Sequence, residues 1–154
     1  MIEILFENTQ LRCYEEGKIE LFRKGQWKKW VDAGTVNAYG YVKIVINYKK
    51  YNRSRLLMMA FKNFDINSEL CVDHKNHIRH DDRIENLRIV THQENMFNKS
   101  NTKGYYYVAN AKKKKWRMRL MVNGKPYTKC FETELESKNH YLEKKAELHI
   151  ILNT

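Results

Sequence analysis

The chain has 154 residues, with 29 Lys and Arg against 18 Asp and Glu, so its formal charge is +11. Clustered cations gain affinity by displacing counterions from phosphates, which makes a polyanion the expected partner, nucleic acid ahead of an anionic membrane surface. No run reaches the roughly 18 to 20 apolar residues that span a bilayer, and the start, MIEILFENTQ, has no basic segment followed by an apolar one. A cytoplasmic protein without a membrane partner is expected, built from small modules because none of this length buries a large core alone.

Residues 1–52 read mostly as strands. KIELF at 18–22 is one, and YGYVKIVIN at 39–47 is another, with Val42, Ile44 and Ile46 alternating against Lys43 and Val45. Ser54 is placed to cap a short helix through RLLMMAF, in which Leu56, Leu57, Ala60 and Phe61 make one apolar face expected to pack on the module C-terminal to it. A short strand at 70–72, a polar loop and a second strand at 87–90 come next. Thr91 and Glu94 then have the spacing of a capping box, opening a helix to about Asn98. NKSNTKG at 98–104 has loop composition. From Tyr105 strands return: Trp116, Met118, Leu120 and Val122 alternate against Arg117, Arg119 and Met121, and Asn123-Gly124 is a hairpin turn. Thr133 and Glu136 repeat the capping-box spacing before a helix whose Leu135, Leu142, Ala146 and Ile150 are expected to line one side. The fold class is therefore α+β, divided as a β-rich region at 1–52, a central unit at 53–99, and a small antiparallel sheet with one helix at 104–154.

The central unit carries the chemistry. Hydrolysis of a phosphodiester needs a base for water, a hard cation for the phosphate and the leaving oxygen, and a rigid frame. Asp73 offers a carboxylate at the end of one strand, and Asn95 an amide oxygen on the first turn after Thr91. Two oxygen ligands completed by phosphate and water suit Mg2+, or another divalent ion such as Mn2+. His74 points to the other side of its strand, with an imidazole suited to accept a proton near neutral pH. Asn86 can tie the loop to the histidine strand. Residues 72–95, VDHKNHIRHDDRIENLRIVTHQEN, resemble the H-N-H signature of phage and intron homing endonucleases, with His74, Asn86 and Asn95 as its anchors. The resemblance implies a ββα-metal unit in which His74 is the general base, Asp73 and Asn95 hold one divalent ion, and Asn86 is structural. SRLLMMAF at 54–61 is similar to the helix before that signature, with Ser54 where histidine is common.

The histidines and cysteines admit other readings. His74, His77 and His80 are spaced by three, which raises a zinc site, but no helix starts there to gather them, and His77, His80 and His92 are expected in loops or facing DNA. Cys13, Cys71 and Cys130 form no Cys-x-x-Cys pair, so reduced thiols and no structural zinc are expected.

Between Asn95 and Phe131 stand ten Lys or Arg and no Asp or Glu, interleaved with Tyr105, Tyr106, Tyr107, Trp116 and Tyr127. A one-signed stretch of this kind is an electrostatic footprint for phosphate. Gly104-Tyr105, the Trp116 strand, Asn123-Gly124-Lys125, Phe131-Glu132-Thr133 and the last helix together resemble the Apetala-two, or ethylene-response-factor-like, DNA-binding domain. The sequence departs from it at Cys130, Ser137 and Lys138. By that resemblance a three-stranded sheet would enter the major groove of double-stranded DNA, with Arg117, Arg119 and Lys129 as contacts; Lys112, Lys113, Lys114 and Lys115 add charge for the backbone. The expected protein is thus a DNA endonuclease, homing-type or mobile-element-associated, monomer or homodimer. A non-catalytic DNA-binding regulator with the same fold is the alternative, and an RNA-binding protein the third reading.

Overall fold

A computed structural model describes residues 1–25, 28–97, 103–122 and 124–148. They form an α+β protein with two compact units, Met1–Asn95 and Met96–Thr154. The first opens with an antiparallel meander, β1 (Ile2–Phe6), β2 (Thr9–Cys13), β3 (Ile19–Arg23) and β4 (Lys29–Asp32), paired in that order. Glu7 and Asn8 close its first hairpin at φ 44° and 60°, the geometry a two-residue turn needs to match strand twist. A second sheet comes next, β5 (Thr35–Val36), β6 (Val42–Ile46) and β7 (Lys49–Asn52). On β6 the expected alternation appears: Val42, Ile44 and Ile46 are buried and Val45 is exposed.

Helix α1 (Arg53–Lys62) starts where β7 stops. Asn52, not Ser54, is the N-cap residue, and its side chain makes no capping bond; Ser54 is buried inside the first turn. The strand leads straight into the helix, which places its start two residues before the position a serine cap would set. Leu56 and Leu57 enter a core shared with Leu11, Cys13, Ile19 and Leu21 of the first sheet, Ile44 and Ile46 of the second, and Leu87 beyond the helix. The helix thus packs on the strands before it as well as on the part after it.

Next come β8 (Cys71–His74) and β9 (Leu87–Val90), an antiparallel pair joined by residues 75–86, whose end is a 3-10 turn at Ile84–Asn86. Helix α2 (His92–Phe97) begins almost at once; its expected end at Asn98 lies outside the described residues. Glu94 accepts from the Thr91 amide at 2.7 Å and the Thr91 hydroxyl accepts from the Glu94 amide at 3.2 Å, the reciprocal bonds of a capping box. The Thr91 amide first, then its hydroxyl, hold the Glu94 carboxyl below its ordinary range.

The second unit is a sheet of β10 (Tyr105–Tyr107), β11 (Trp116–Val122) and β12 (Lys125–Phe131), with helix α3 (Glu134–Leu148) against it. Gly124 turns the hairpin at φ 75°; Asn123 lies outside the described residues. The second capping box also forms, Thr133 with Glu136. The expected apolar stripe of α3 does not face the sheet: Leu135 and Leu142 are 65% and 52% exposed and Ala146 is exposed, while Ser137 and Tyr141 are buried. The cap fixes the helix phase, and at about 100° per residue the stripe that meets Met118 and Leu120 is Ser137–Tyr141, with Leu135 and Leu142 well over a right angle away. Tyr141 lies so close to Gly104 that a Cβ there would sit 1.9 Å from its ring, so glycine is the residue that fits at the start of β10. Ile150, the fourth member of that stripe, lies outside the described residues, as do Trp27, Lys99 and most of the 98–104 loop. Among the described residues no helix is long and apolar enough to cross a membrane.

Candidate active site

Register on the β8–β9 pair sorts the central residues by face. Asp73 lies opposite Arg88, and His74 opposite Leu87; alternation along a strand therefore sends Asp73 and Arg88 to one side and His74 and Leu87 to the other, where Leu87 joins the core. Asp73 Oδ2 accepts from Arg88 Nε and Nη2, each at 2.9 Å, and both side chains are about nine-tenths buried. Asn95 is half-buried on α2, the helix that leaves β9 directly, and its backbone N–H donates to the Thr91 carbonyl at 3.0 Å.

His74 is 4% exposed. Its Nε2 lies 2.8 Å from Oδ1 of Asp82, itself 2% exposed, and Oδ2 of Asp82 accepts from Arg53 Nε at 2.8 Å. Arg53 Nη2 also reaches the His80 carbonyl, at 3.2 Å. Over the imidazole stands Tyr41, ring centroids 6.1 Å apart, and the Arg79 guanidinium covers Tyr41 in turn. A hydrogen-bonded line thus runs from the first residue of α1 through the loop to the histidine.

The loop between the strands is cross-tied. Asn86, 7% exposed, accepts from the Asn76 amide at 3.0 Å and donates to Asn76 Oδ1 at 3.0 Å and to the Asp81 carbonyl at 2.7 Å. Asp81 accepts from Arg83 through both oxygens and from Asn76; Arg83 is the main reason that its carboxyl is held far below the usual range, with Asn76 adding to it. Two turns of the N-terminal sheets rest on this loop. The Glu15 carbonyl accepts from the Ile84 amide at 2.9 Å, and the Tyr39 carbonyl from Arg79 at 2.9 Å.

Asp73, His74, Asn86 and Asn95 are therefore brought onto one strand pair, its loop and its helix. His74, His77 and His80 are not gathered: His74 is turned inward onto Asp82, while His77 and His80 are exposed, as is His92 at the start of α2. Among the described residues no group of three or more His, Cys, Asp or Glu could hold a metal. Reading the sequence missed Asp82, Arg88, Arg53 and Tyr41. Arg88 becomes visible only with the hairpin register, and Asp82 is one of two adjacent aspartates in a polar loop with nothing local to single it out.

On the second unit the register pairs Tyr106 with Arg117 and Arg117 with Cys130, then Arg119 with Thr128, so these share one face of the sheet. Lys129 pairs with Met118 and thus lies on the other face, the one covered by α3. Lys112, Lys113, Lys114 and Lys115 are all exposed in the segment between β10 and β11.

Comparison with known proteins places the central unit. A solved structure described as DNA binding and cleavage by the HNH homing endonuclease I-HmuI is 22% identical, covers 64% of this chain and 57% of that chain, and superposes with a TM-score of 0.49. This chain spans little more than half of that protein's length. No curated protein gives a significant match. Residues 58–97, which hold the β8–β9 pair, the cross-tied loop and α2, match the family model described as HNH endonuclease.

Proposed function

We propose that this protein is a DNA endonuclease that hydrolyses phosphodiester bonds at the central unit, with His74 as general base and a divalent ion held by Asp73 and Asn95. One observation carries the reading: the segment that matches the HNH endonuclease model holds Asp73 and His74 at the last two positions of β8 and Asn95 on the helix into which β9 runs directly. The donor set fits a hard cation, since a carboxylate and an amide offer oxygens alone, with positions left for water and phosphate, as Mg2+ or Mn2+ require. When bound, such an ion stabilises charge on the scissile phosphate and the departing 3′-oxygen. The protein's own residues do the rest. Arg88 fixes the rotamer of Asp73, Asn86 holds the loop that closes over the strand pair, and His74 takes the proton of the attacking water.

The second unit is proposed to hold double-stranded DNA in the manner of the Apetala-two-like domain it resembles. Support comes from the face shared by Tyr106, Arg117 and Arg119, and from four consecutive exposed lysines. Lys129, on the opposite face, is left out of that surface.

Conversion of supercoiled plasmid by the purified protein in Mg2+ tests the reading. Wild type is expected to cut, chelation to stop it, and His74→Ala to lose at least about 100-fold in rate while DNA affinity changes little. Full cutting by His74→Ala would remove the histidine from its role. DNA binding without any cutting by wild type, in Mg2+ or Mn2+, would leave a non-catalytic DNA-binding protein.

A further inference from the structure

We propose that the turn at 37–40 and the tip of the loop at 75–80 form a docking surface for duplex DNA on the first unit, with Tyr39 and Ile78 as its apolar contacts to the bases. The inference rests on the reading of the central unit as the place where DNA is cut, and deepens it by naming how that unit grips its substrate. It comes from two large apolar side chains left in solvent on neighbouring segments: Tyr39 is 74% exposed and Ile78 46%. Neither belongs to the surface assigned to the second unit.

The two segments touch. Arg79 donates to the Tyr39 carbonyl at 2.9 Å, its guanidinium lies over the Tyr41 ring, and a Cβ on Gly40 would stand 3.7 Å from the Cβ of Arg79. Each is also held from within. Asn37 Oδ1 accepts from the Tyr39 and Tyr41 amides at 2.9 and 3.0 Å, and Asn76 Oδ1 from the Ile78 amide at 2.9 Å. The Ile78 carbonyl accepts from the Asp81 amide at 3.0 Å, and Asn86 holds the Asn76 amide. Segments tied in this way keep their apolar side chains presented, and little ordering entropy is lost when a partner covers them.

Charge and position select the partner. Residues 74–80, HKNHIRH, contain no Asp or Glu, nor do residues 33–64 around Tyr39. Lys75 and Arg79 are exposed on either side of Ile78, and the next acids along the chain, Asp81 and Glu85, are both paired with Arg83. Ile78 follows His74 by four residues, so their Cα atoms are at most about 14 Å apart. That length corresponds to about four base pairs of duplex. A duplex whose scissile phosphodiester lies at the end of β8 therefore has the loop tip within reach of its grooves. There an apolar side chain meets base edges or enters a base step, while flanking cations meet phosphates.

Salt dependence separates the two kinds of contact. Affinity of the full-length protein for a duplex fragment of plasmid is measured in EDTA across a salt series, for wild type, Tyr39→Ala, Ile78→Ala, Ile78→Leu and Lys75→Gln. Leu5→Ala is the control, since Leu5 is 69% exposed on β1 and lies outside the surface. Tyr39→Ala and Ile78→Ala are each expected to bind at least about fivefold more weakly with an unchanged salt slope, because each loses apolar burial and no phosphate contact. Ile78→Leu, which keeps the apolar volume, should bind within about twofold of wild type. Lys75→Gln should lower the slope by roughly 0.9. In Mg2+, cutting by Ile78→Ala should fall with affinity at low protein concentration and return to within about threefold of wild type at saturation, as a contact used for binding requires. Wild-type affinity in both alanine variants, or an equal loss in Leu5→Ala, would overturn the surface while leaving the endonuclease reading intact. A wild type that binds DNA and never cuts it would defeat that reading instead, and the affinities in EDTA would still decide on the surface.

Discussion

Cys13 is fully buried among Leu11, Ile19 and Leu21, and burial pushes its thiol up from an ordinary value near 9 to about 11. The group is raised on folding, so the stability it contributes is fully present below the ordinary thiol value near 9 and is lost as pH rises from there to about 11. The urea midpoint of wild type should therefore fall between pH 8 and 10.5 by more than that of Cys13→Ala, a comparison in which the tyrosines and lysines cancel. Parallel pH curves for the two proteins would show that the thiol ionises alike in both states. Thiol reagents at pH 8 should reach the half-buried Cys71 and Cys130 before Cys13. At this scale the sequence is unevenly legible, for a physical reason. Asp73, His74, Asn86 and Asn95 fall within 23 residues of local strand, loop and helix, where spacing alone suggests proximity. Arg53 meets Asp82 across 29 positions, and Asp73 meets Arg88 across 15, contacts that exist only through packing and register.

At the scale of elements, the turn between β2 and β3 shows how the N-terminal sheet bears on the site. Gly17 sits there at φ 91°, and a Cβ added to it would lie 2.8 Å from the carbonyl carbon of Asp82 and 3.0 Å from the Arg83 amide. Both the backbone conformation and the space call for glycine, since a side chain would press on the peptide that carries the partner of His74. Gly17→Ala is expected to lower stability by about 2 kcal/mol, from positive-φ strain and the displaced loop together, and to slow cleavage more than it weakens DNA binding. Urea titration and plasmid cleavage measure the two effects; wild-type values for both would mean that the turn does not press on the loop. Capping boxes are legible from sequence because Thr91–Glu94 and Thr133–Glu136 are local and both form. The inward face of α3 is not, because Leu135 and Leu142 look like a stripe while the phase set by the cap turns Ser137 and Tyr141 to the sheet. Hydrophobicity alone points to the wrong face; the small Ser137 lets the helix approach, and Tyr141 packs over Gly104.

For the whole molecule, the decisive count is of the sets of residues proposed to be catalytic. The sequence offers one Asp73, His74 and Asn95 arrangement per chain, on one strand pair and one helix. A single centre acts on one phosphodiester per engagement, and the strand opposite in a duplex runs the other way, so the same centre cannot meet it in the same geometry without releasing and turning. Cutting both strands in one encounter would require a second copy related by two-fold symmetry, and a stable pair usually buries roughly 1,200 to 2,000 Å² of well-packed surface. On α3, Leu135 and Leu142 are exposed one heptad apart, but two leucines cover only a small part of such an area. The expected behaviour is a monomer that nicks: supercoiled plasmid should pass to open circle first, at a rate linear in protein concentration at low occupancy, with linear product appearing late. Light scattering beside a plasmid time course reads both quantities. A dimer in solution, with linear product formed at once and a rate rising with the square of concentration, would mean that two chains act together, and the preferred site should then be near-palindromic.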